Sequence, residues 1–333
     1  MDIRNPKRLK KVAAHRLENA RDAGRILLIY GGILAVSSLL VTGFNSILSS
    51  QISQTGGLGN MGTRSILSTF QTILPILQSV VMLCVEFGYM AAMLRIARNQ
   101  YASPMSMKMG LERAWVLIRT MLVQSAIYCC ACLAGLYLAS MIFSFTPLSN
   151  AATELLTPLL AQASDPEALI AAMDEATQLQ LLQASIPLFV LCLVCCVALM
   201  IPISYRYRMV YYVLMDKPSY GAMKALRESK AMMRGNKLAL FKMDLGYWWY
   251  YGLIALTAVL CYGDVILALL DISQPFSSTV SYYLFYVLSL AAQLGVYWFF
   301  RNRVEVSYAL AYESIRPKEE PEGGAVLGNI FQM

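Results

Sequence analysis

Long apolar stretches alternate along the chain with shorter segments rich in lysine and arginine. A helix needs about 20 apolar residues to cross the hydrocarbon core of a membrane. Stretches of this length lie near residues 26–47, 70–94, 115–143, 186–205, 245–269 and 280–300. The pattern therefore predicts an all-α protein, a polytopic membrane helix bundle with six transmembrane helices and a single membrane domain over 25–314.

Two basic segments, 1–24 and 206–242, have the period of amphipathic helices. Asn5-Pro6 forms a helix start in the first, and in the second Ser219 and Gly235 form a cap and a stop. Such helices lie in the headgroup plane, so we expect both segments at the membrane interface. The predicted apolar faces are Leu9, Val12, Ala13, Leu17 and Ala20 in the first, and Tyr220, Met223, Leu226 and Met233 in the second.

The basic residues are distributed unevenly between alternate connecting segments. Of the 27 lysines and arginines, 26 lie in or next to the two terminal segments and every second connecting segment. Arg64 is the exception, and no basic residue lies between Arg119 and Arg206. Basic residues are retained on the cytoplasmic side of a membrane. We therefore expect both termini in the cytoplasm, a flexible cytoplasmic tail at 315–333 and an exported loop at 146–183.

The net charge of +7 follows from this retention. Basic segments along the inner face meet anionic lipid headgroups, which we expect as the partner instead of nucleic acid. The exported loop is acidic, and Asp165-Pro166-Glu167 is a strong helix start. It predicts a helix to about Ala184, with a shorter one over 151–161.

Cysteine and histidine usage offers no reactive site. The chain is 58% hydrophobic and 14% charged, whereas soluble domains are about a quarter charged. The Cys192-x-x-Cys195-Cys196 run lies inside an apolar span, where free cysteine packs as a small apolar side chain. His15 is the one histidine. We therefore predict no metal site, no cofactor and no catalytic residues.

Polar residues inside the spans are the next candidates, because ionisable groups in hydrocarbon are costly and tend to be functional. Glu86 precedes the inner end of its span, and Arg119 lies at a broadly similar depth on the next span. The two form a candidate intramembrane polar site, either a structural ion pair, a substrate or proton site, or two side chains that reach the interface separately. Interhelical hydrogen bonds are expected from Gln71, Gln78, Gln124 and Gln293.

Aromatic residues cluster at the start of the fifth span, where they form a predicted interfacial belt. They are Tyr247, Trp248, Trp249 and Tyr250. A weak echo links Met107-Lys108 and Leu111-Glu112 to Met223-Lys224 and Leu226 with Glu228. It suggests two related helix-loop-helix units, with chance similarity as the alternative.

The second basic segment also carries a family resemblance. Its pattern runs from Arg208 through Asp216, Ala225-Leu226, Ser229, Met233, Gly235, Lys237 and Phe241 to Asp244, with Tyr308, Ala311, Tyr312 and Glu313 after the last span. It resembles the bacterial membrane family called domain of unknown function 975, found mainly in Firmicutes. The resemblance implies a polytopic protein of the bacterial plasma membrane and assigns no activity.

These observations favour a non-enzymatic membrane protein, active in transport, in lipid handling or as an accessory subunit bound to another membrane protein. The alternatives are an intramembrane lipid-modifying enzyme and a membrane sensor or scaffold. An enzyme would need clustered acids, bases, nucleophiles or metal ligands near an interface.

Overall fold

The computed structural model describes residues 5–54, 61–146, 175–269 and 278–317, together with Ile3, and every regular element in them is a helix. The all-α prediction is confirmed. The helices are α1 (Pro6–Glu18), α2 (Ala23–Gln54), α3 (Met61–Ala97), α4 (Lys108–Glu112), α5 (Ala114–Ser144), α6 (Glu175–Tyr207), α7 (Val210–Asp216), α8 (Ala222–Met232), α9 (Lys237–Leu245), α10 (Trp248–Cys261), α11 (Gly263–Leu269), α12 (Ser278–Val296) and α13 (Asn302–Ile315). A 3₁₀ turn, Pro104–Met107, precedes α4, and a π-helical turn, Tyr297–Arg301, joins α12 to α13.

Within the described residues, five helical stretches are long and apolar enough to cross a membrane. They are Ala23–Ser53, Gly62–Ala97, Ala114–Ser144, Ile186–Asp216 and Val280–Ile315. The fifth predicted span, 245–269, is divided at Tyr262 into α10, with 14 residues, and α11, with 7 residues. A Cβ at Gly263, just after the break, would overlap the ring of Phe285. The predicted count of six is therefore not confirmed.

The chain divides into two compact units. Unit 1 comprises Met1–Arg119 and Met209–Met333, and unit 2 comprises Thr120–Arg208. In unit 2, α5 and α6 approach closely at Gly135, where a Cβ would lie 3.0 Å from the Cα of Cys196. The Cys196 thiol donates to the Cys132 carbonyl oxygen at 3.6 Å. Cys196 thus contributes to helix packing.

Of the loop that is predicted to be exported, mainly the last part is described. Residues 147–174, which include the start of the predicted loop helix and the shorter helix over 151–161, lie outside the described residues, as do 318–333 of the predicted tail. Because α6 begins at Glu175, the last part of the predicted loop helix is continuous with the fourth span.

Unit 1 has a buried end and an exposed end. In α3, residues 84–97 are largely buried, in contact with α1, α7 and α13, whereas much of the apolar surface over 66–81 is exposed. The same change occurs along α2, whose Ile26, Leu27 and Tyr30 are buried while large apolar side chains from Val36 onward are exposed. Exposed apolar surface on long helices is what lipid chains cover in a membrane.

The apolar face of α1 is covered by protein, contrary to its expected place in the headgroup plane. Leu9 and Ala13 are fully buried, and α1 contacts α13, α3 and α9. On the basic face, the Lys10 ammonium donates to the Gly246 carbonyl oxygen at 2.5 Å and lies 3.9 Å above the Tyr247 ring. Burial lowers the pKa of Lys10. The amphipathic pattern was identified correctly, but it packs against helices of its own unit.

The helix α8 occupies the predicted amphipathic segment with different ends. It follows Gly221 without a side-chain cap, so the expected Ser219 cap does not form. The expected stop is present, because Gly235 has a φ of +79°, which favours glycine. Met223, assigned to the apolar face, is 65% exposed. The buried face consists of Ala225, Leu226, Ser229 and Met232.

The segment that echoes α8 in the sequence has a different structure. It forms the 3₁₀ turn and the five-residue helix α4, and both contact α3. The approach is so close that a Cβ at Gly88 would overlap the main chain of Met107, and one at Gly110 would overlap that of Cys84. Two positions without a side chain therefore allow this connection to pack onto α3.

We expect Gly88→Ala to lower the melting temperature of the purified protein in detergent. The added methyl would displace the Met107 main chain, and overpacking of this kind costs about 1–3 kcal/mol. Gly43→Ala in α2 is the matched control, because no atom lies within 4 Å of its Cβ position and alanine favours the helix by about 1 kcal/mol. Equal melting temperatures for Gly88→Ala and the wild type would contradict the close packing.

Candidate functional site

One face of α12 carries a row of polar side chains. The row continues through the π-helical turn and recurs every three or four residues, the spacing that aligns side chains along a helix. Its members are Tyr282, Tyr286, Ser289, Gln293, Tyr297 and Arg301. We call them the polar row. It begins at exposed Tyr282 and ends at buried Arg301.

The π-helical turn keeps the last member in register with the others. In an α-helix of 3.6 residues per turn, side chains spaced by four residues drift steadily around the axis. A π turn bonds residue i to i+5, so each of its residues rotates less. Between Tyr297 and Arg301 this offsets the drift, so the Arg301 guanidinium lies 4.4 Å from the Tyr297 ring. Turns of this type are frequent at functional sites.

Arg301 is buried in a cage of aromatic rings. The residue is 6% exposed, and its guanidinium carbon lies 4.4 Å from the ring centre of Tyr30 and 5.3 Å from that of Tyr89. With Tyr297, three rings surround the cation within the range of cation–π attraction. The Arg301 Nε has no hydrogen-bond partner among the described residues. The guanidinium therefore keeps unused donor capacity.

The counter-ion of Arg301 is Glu86. An Nη2 of Arg301 donates to the Glu86 carboxylate at 2.9 Å, and the Glu86 side chain is 46% exposed. A buried cation is thus paired with a carboxylate that is accessible in part. Glu86 has its neutralising partner on a neighbouring helix, as predicted, but the partner is Arg301 instead of Arg119. Arg119 lies over the ring of Trp115, one turn earlier on α5, at 4.7 Å.

Hydrogen bonds position the rings around this ion pair. The Tyr89 hydroxyl donates to Asn302 Oδ1 at 2.7 Å, and Asn302 Nδ2 donates to the carbonyl oxygen of Ala23 at 3.4 Å. Gln293 Nε2 donates to the Tyr297 hydroxyl at 3.0 Å. The cage thus joins the N-terminal part of α2, the C-terminal third of α3 and the π-helical turn after α12.

Two cavities lie along the polar row. The far cavity, about 470 Å³, is lined by Thr42, Asn45, Ser46, Ser49, Gln71, Tyr282 and Tyr283. The middle cavity, about 290 Å³, has Ser38, Thr257, Tyr262, Tyr286, Ser289 and Gln293 as its polar lining. The stacked rings of Tyr282 and Tyr286 join the two, with centres 6.3 Å apart. From the middle cavity, Gln293 leads to Tyr297 and Arg301.

The glutamines contribute to this polar surface in two ways. Gln71 Nε2 donates to Ser49 at 2.9 Å, and Gln78 Nε2 donates to Ser38 at 3.2 Å, so both form the predicted interhelical bonds. Gln293 instead bonds to Tyr297 on its own helix. Among the described residues, no three His, Cys, Asp or Glu side chains group closely enough to hold a metal ion.

The predicted aromatic belt is divided between the surface and the interior. Trp248 is 69% exposed, as expected at an interface, but Tyr247 and Tyr250 are buried. The Tyr247 hydroxyl shares a 2.8 Å hydrogen bond with Ser307, and Trp249 packs edge-on against Phe300. Other exposed tryptophans lie at helix ends, Trp115 at the start of α5 and Trp298 just after α12.

A network of charges closes the buried end of unit 1. Arg98, after α3, donates to Asp216 at 2.5 Å and to Glu313 at 2.6 Å. Asp216 also accepts from Tyr312 at 2.8 Å and from Arg316 at 3.1 Å. Burial disfavours the charge of Arg98, but the hydrogen bonds that it donates to the two carboxylates outweigh burial and raise the pKa of Arg98. The network ties the ends of α3, α7 and α13 together.

Several residues that carry the sequence resemblance belong to these contacts. Asp216, Tyr312 and Glu313 are in the charge network, and Tyr308 donates to Asp244. A family model described as "Protein of unknown function (DUF975)" matches residues 1–318. The chain belongs to this family. No curated protein and no solved structure matches it.

The polar row of this DUF975 protein was only partly visible in the sequence. The sequence marks Gln293 only as one of four glutamines expected to bond between helices, and Arg301 only as one of 27 basic residues. The signal that could have found the site is the recurrence of Tyr, Ser, Gln and Arg every three or four residues along an apolar stretch.

We expect Glu86 and Arg301 to be energetically coupled. Glu86→Gln leaves a buried cation without its counter-ion, and Arg301→Gln frees the carboxylate, so both should lower the free energy of unfolding. The double variant should lose less than the sum, with a coupling of about 0.5–3 kcal/mol, whereas distant sites add within about 0.5 kcal/mol. The matched control is Glu86→Gln combined with Arg119→Gln. Additive losses for Glu86 and Arg301, or equal coupling in both cycles, would contradict the pairing.

Proposed function

We propose that this DUF975 protein is a non-enzymatic protein of the bacterial plasma membrane that passes a small polar solute through unit 1. The observation that carries the proposal is the polar row, which connects the far cavity, the middle cavity and the Glu86–Arg301 pair. Polar side chains in membrane-spanning helices are costly and concentrate along substrate pathways.

The two cavities favour stepwise passage over an open pore. Each holds a few hundred cubic ångströms, and the rings of Tyr282 and Tyr286 lie between them. Tyrosine rings can change rotamer without breaking a helix. A solute would move from one cavity to the next as these rings move, and would reach the Glu86–Arg301 pair last.

The ion pair suits binding and gating. Arg301 is held by aromatic rings on several sides, whereas Glu86 is bound at one point and is accessible in part. The carboxylate can leave the cation at the cost of one ion pair, while the cage keeps the guanidinium in place. An enzyme would require an acid, base or nucleophile aimed at a substrate, and here the two ionisable groups engage each other.

The distribution of basic residues orients the path. The buried end of unit 1 contains α1, α8 and α9 with many of the lysines and arginines, which are retained in the cytoplasm. In this orientation the far cavity opens towards the exterior and the Glu86–Arg301 pair lies near the cytoplasm. Anionic headgroups then face the basic helices.

Cysteine labelling tests this orientation. Ser53→Cys, at the end of α2, and Lys230→Cys, on the exposed face of α8, are introduced singly after the native cysteines are replaced by alanine. An impermeant maleimide added to intact cells should label Ser53→Cys, while Lys230→Cys should react only after permeabilisation. The opposite pattern would show that the protein is inverted.

Flux through purified protein in vesicles tests the path. Light scattering after an osmotic step would follow the uptake of glycerol, glucose, glycine, choline and glycerol phosphate, so that both neutral and charged solutes are covered. Ser289→Leu should fill the middle cavity and slow the transported solute about tenfold or more, equivalent to about 1.4 kcal/mol in barrier height. Gln293→Leu provides a second obstruction.

Leu288→Val is the matched control for these variants, because Leu288 is exposed on the same helix. It should leave the flux unchanged. Vesicles with wild-type protein that are no more permeable to any of the five solutes than protein-free vesicles would overturn the proposed function. So would flux that is unaffected by both obstructing substitutions.

A further inference from the structure

The far cavity has an uncharged wall in which every lining residue carries a polar group. All seven lining residues carry a hydroxyl or a carboxamide, and they come from α2, α3 and α12. The volume of about 470 Å³ falls within the range of small-molecule sites, about 300–1,000 Å³. With no ionisable carboxylate, ammonium or guanidinium in the wall, an ion in this cavity would lose hydration without gaining a counter-charge.

One buried acceptor in the wall lacks a partner. Asn45 Oδ1 is shielded from solvent and has no hydrogen bond among the described residues. Leaving a buried acceptor unpaired costs about 1–3 kcal/mol. In this rotamer the oxygen does not open onto the cavity, but Asn45 belongs to the cavity lining. A change of rotamer would turn the oxygen towards a ligand with a hydrogen-bond donor and remove this cost.

The remaining wall matches a ligand with several hydroxyl groups. Gln71 is already positioned by its 2.9 Å bond to Ser49, so its carboxamide presents a fixed edge to the cavity. The rings of Tyr282 and Tyr283 meet edge-to-face with centres 5.4 Å apart, and each tyrosine combines an apolar ring with a polar tip. Such a wall can contact the C–H faces of a polyol and bond its hydroxyls.

We propose that the far cavity binds a small uncharged polyhydroxylated solute, such as a polyol or a monosaccharide. The inference deepens the proposed function, on which its role as the outer binding site of the path rests. Once turned towards the cavity, the Asn45 carboxamide oxygen accepts a hydrogen bond from one ligand hydroxyl. Gln71 and the α2 hydroxyls form hydrogen bonds with the other hydroxyls, and the tyrosine rings cover the apolar face of the ligand.

Equilibrium dialysis with protein in lipid nanodiscs tests the inference. The radiolabelled probes are glycerol, inositol and glucose, with choline and glycerol phosphate as charged probes of comparable size. At least one neutral probe should bind saturably, and the charged probes should bind about tenfold more weakly or not at all, a difference of about 1.4 kcal/mol. If none of the three neutral probes bound saturably, the inference would be overturned. Binding of a charged probe as tight as that of the neutral probes would also overturn it.

Two variants and a control assign the binding to the far cavity. Asn45→Leu should weaken the binding of the neutral probe about tenfold or more. Thr42→Val, which replaces the hydroxyl by a methyl group of similar size, serves if Asn45→Leu does not fold. Ser50→Ala should have no effect, because the Ser50 hydroxyl bonds to Ile47 of its own helix at 2.7 Å. Unchanged affinity in folded Asn45→Leu and Thr42→Val would place the ligand elsewhere and overturn the inference.

The two proposals fail in different ways. Saturable binding that depends on Asn45, without flux in vesicles, would support the binding site and contradict the proposed transport function. Flux of charged solutes that is blocked by Ser289→Leu, without polyol binding, would support the transport function and contradict polyol binding in the far cavity.

Discussion

A guanidinium cannot lie next to hydrocarbon without partners, because its hydration is lost and must be replaced. In unit 1 this constraint falls on Arg301. Its charge requires Glu86 from α3 and the rings of Tyr30, Tyr89 and Tyr297. These residues fix the distances between α2, α3 and the end of α12. The π-helical turn serves the same requirement, because it keeps Arg301 on the polar side of its helix.

The charge network and the glycine contacts stabilise the same end from the other side. Arg98 and Asp216 join α3 to α7 and α13, while Gly88 and Gly110 allow the connection after α3 to pack against it. With α3 held on both sides, Glu86 has a defined position from which it can reach Arg301. The exposed half of unit 1 has fewer such contacts, and the far cavity lies there.

The sequence predicted the helices well because membrane spans depend on length and hydrophobicity, both of which are local properties. It did not predict the division of 245–269, where Gly263 meets the ring of Phe285, since that contact depends on a distant helix. For a related reason, the partner of Glu86 is Arg301 and not Arg119, the candidate that the sequence offered first. Depth along a helix can be counted from the sequence, but the direction of a side chain around the axis depends on packing, and Arg119 lies over Trp115 instead. For α1, the apolar face was evident from Leu9 and Ala13, yet the same pattern fits a lipid surface and a protein surface equally.

The mixed surroundings of Arg301 bear on the proposed function. Glu86 forms a salt bridge with Arg301, Glu305 acts on it through its charge, and the rings of three tyrosines cover the rest of the guanidinium. In the other network, Asp216 and Glu313 both form salt bridges with Arg98. Tyrosine rings attract the guanidinium through their quadrupoles without carrying a net charge. The positive charge is therefore stabilised in place and is still available to attract an anion. When the Glu86 carboxylate moves away, the charge of Arg301 attracts it again. The pair therefore has two arrangements, one with the ion pair formed and one with it broken. This is the property that a gate at the inner end of a polar path requires.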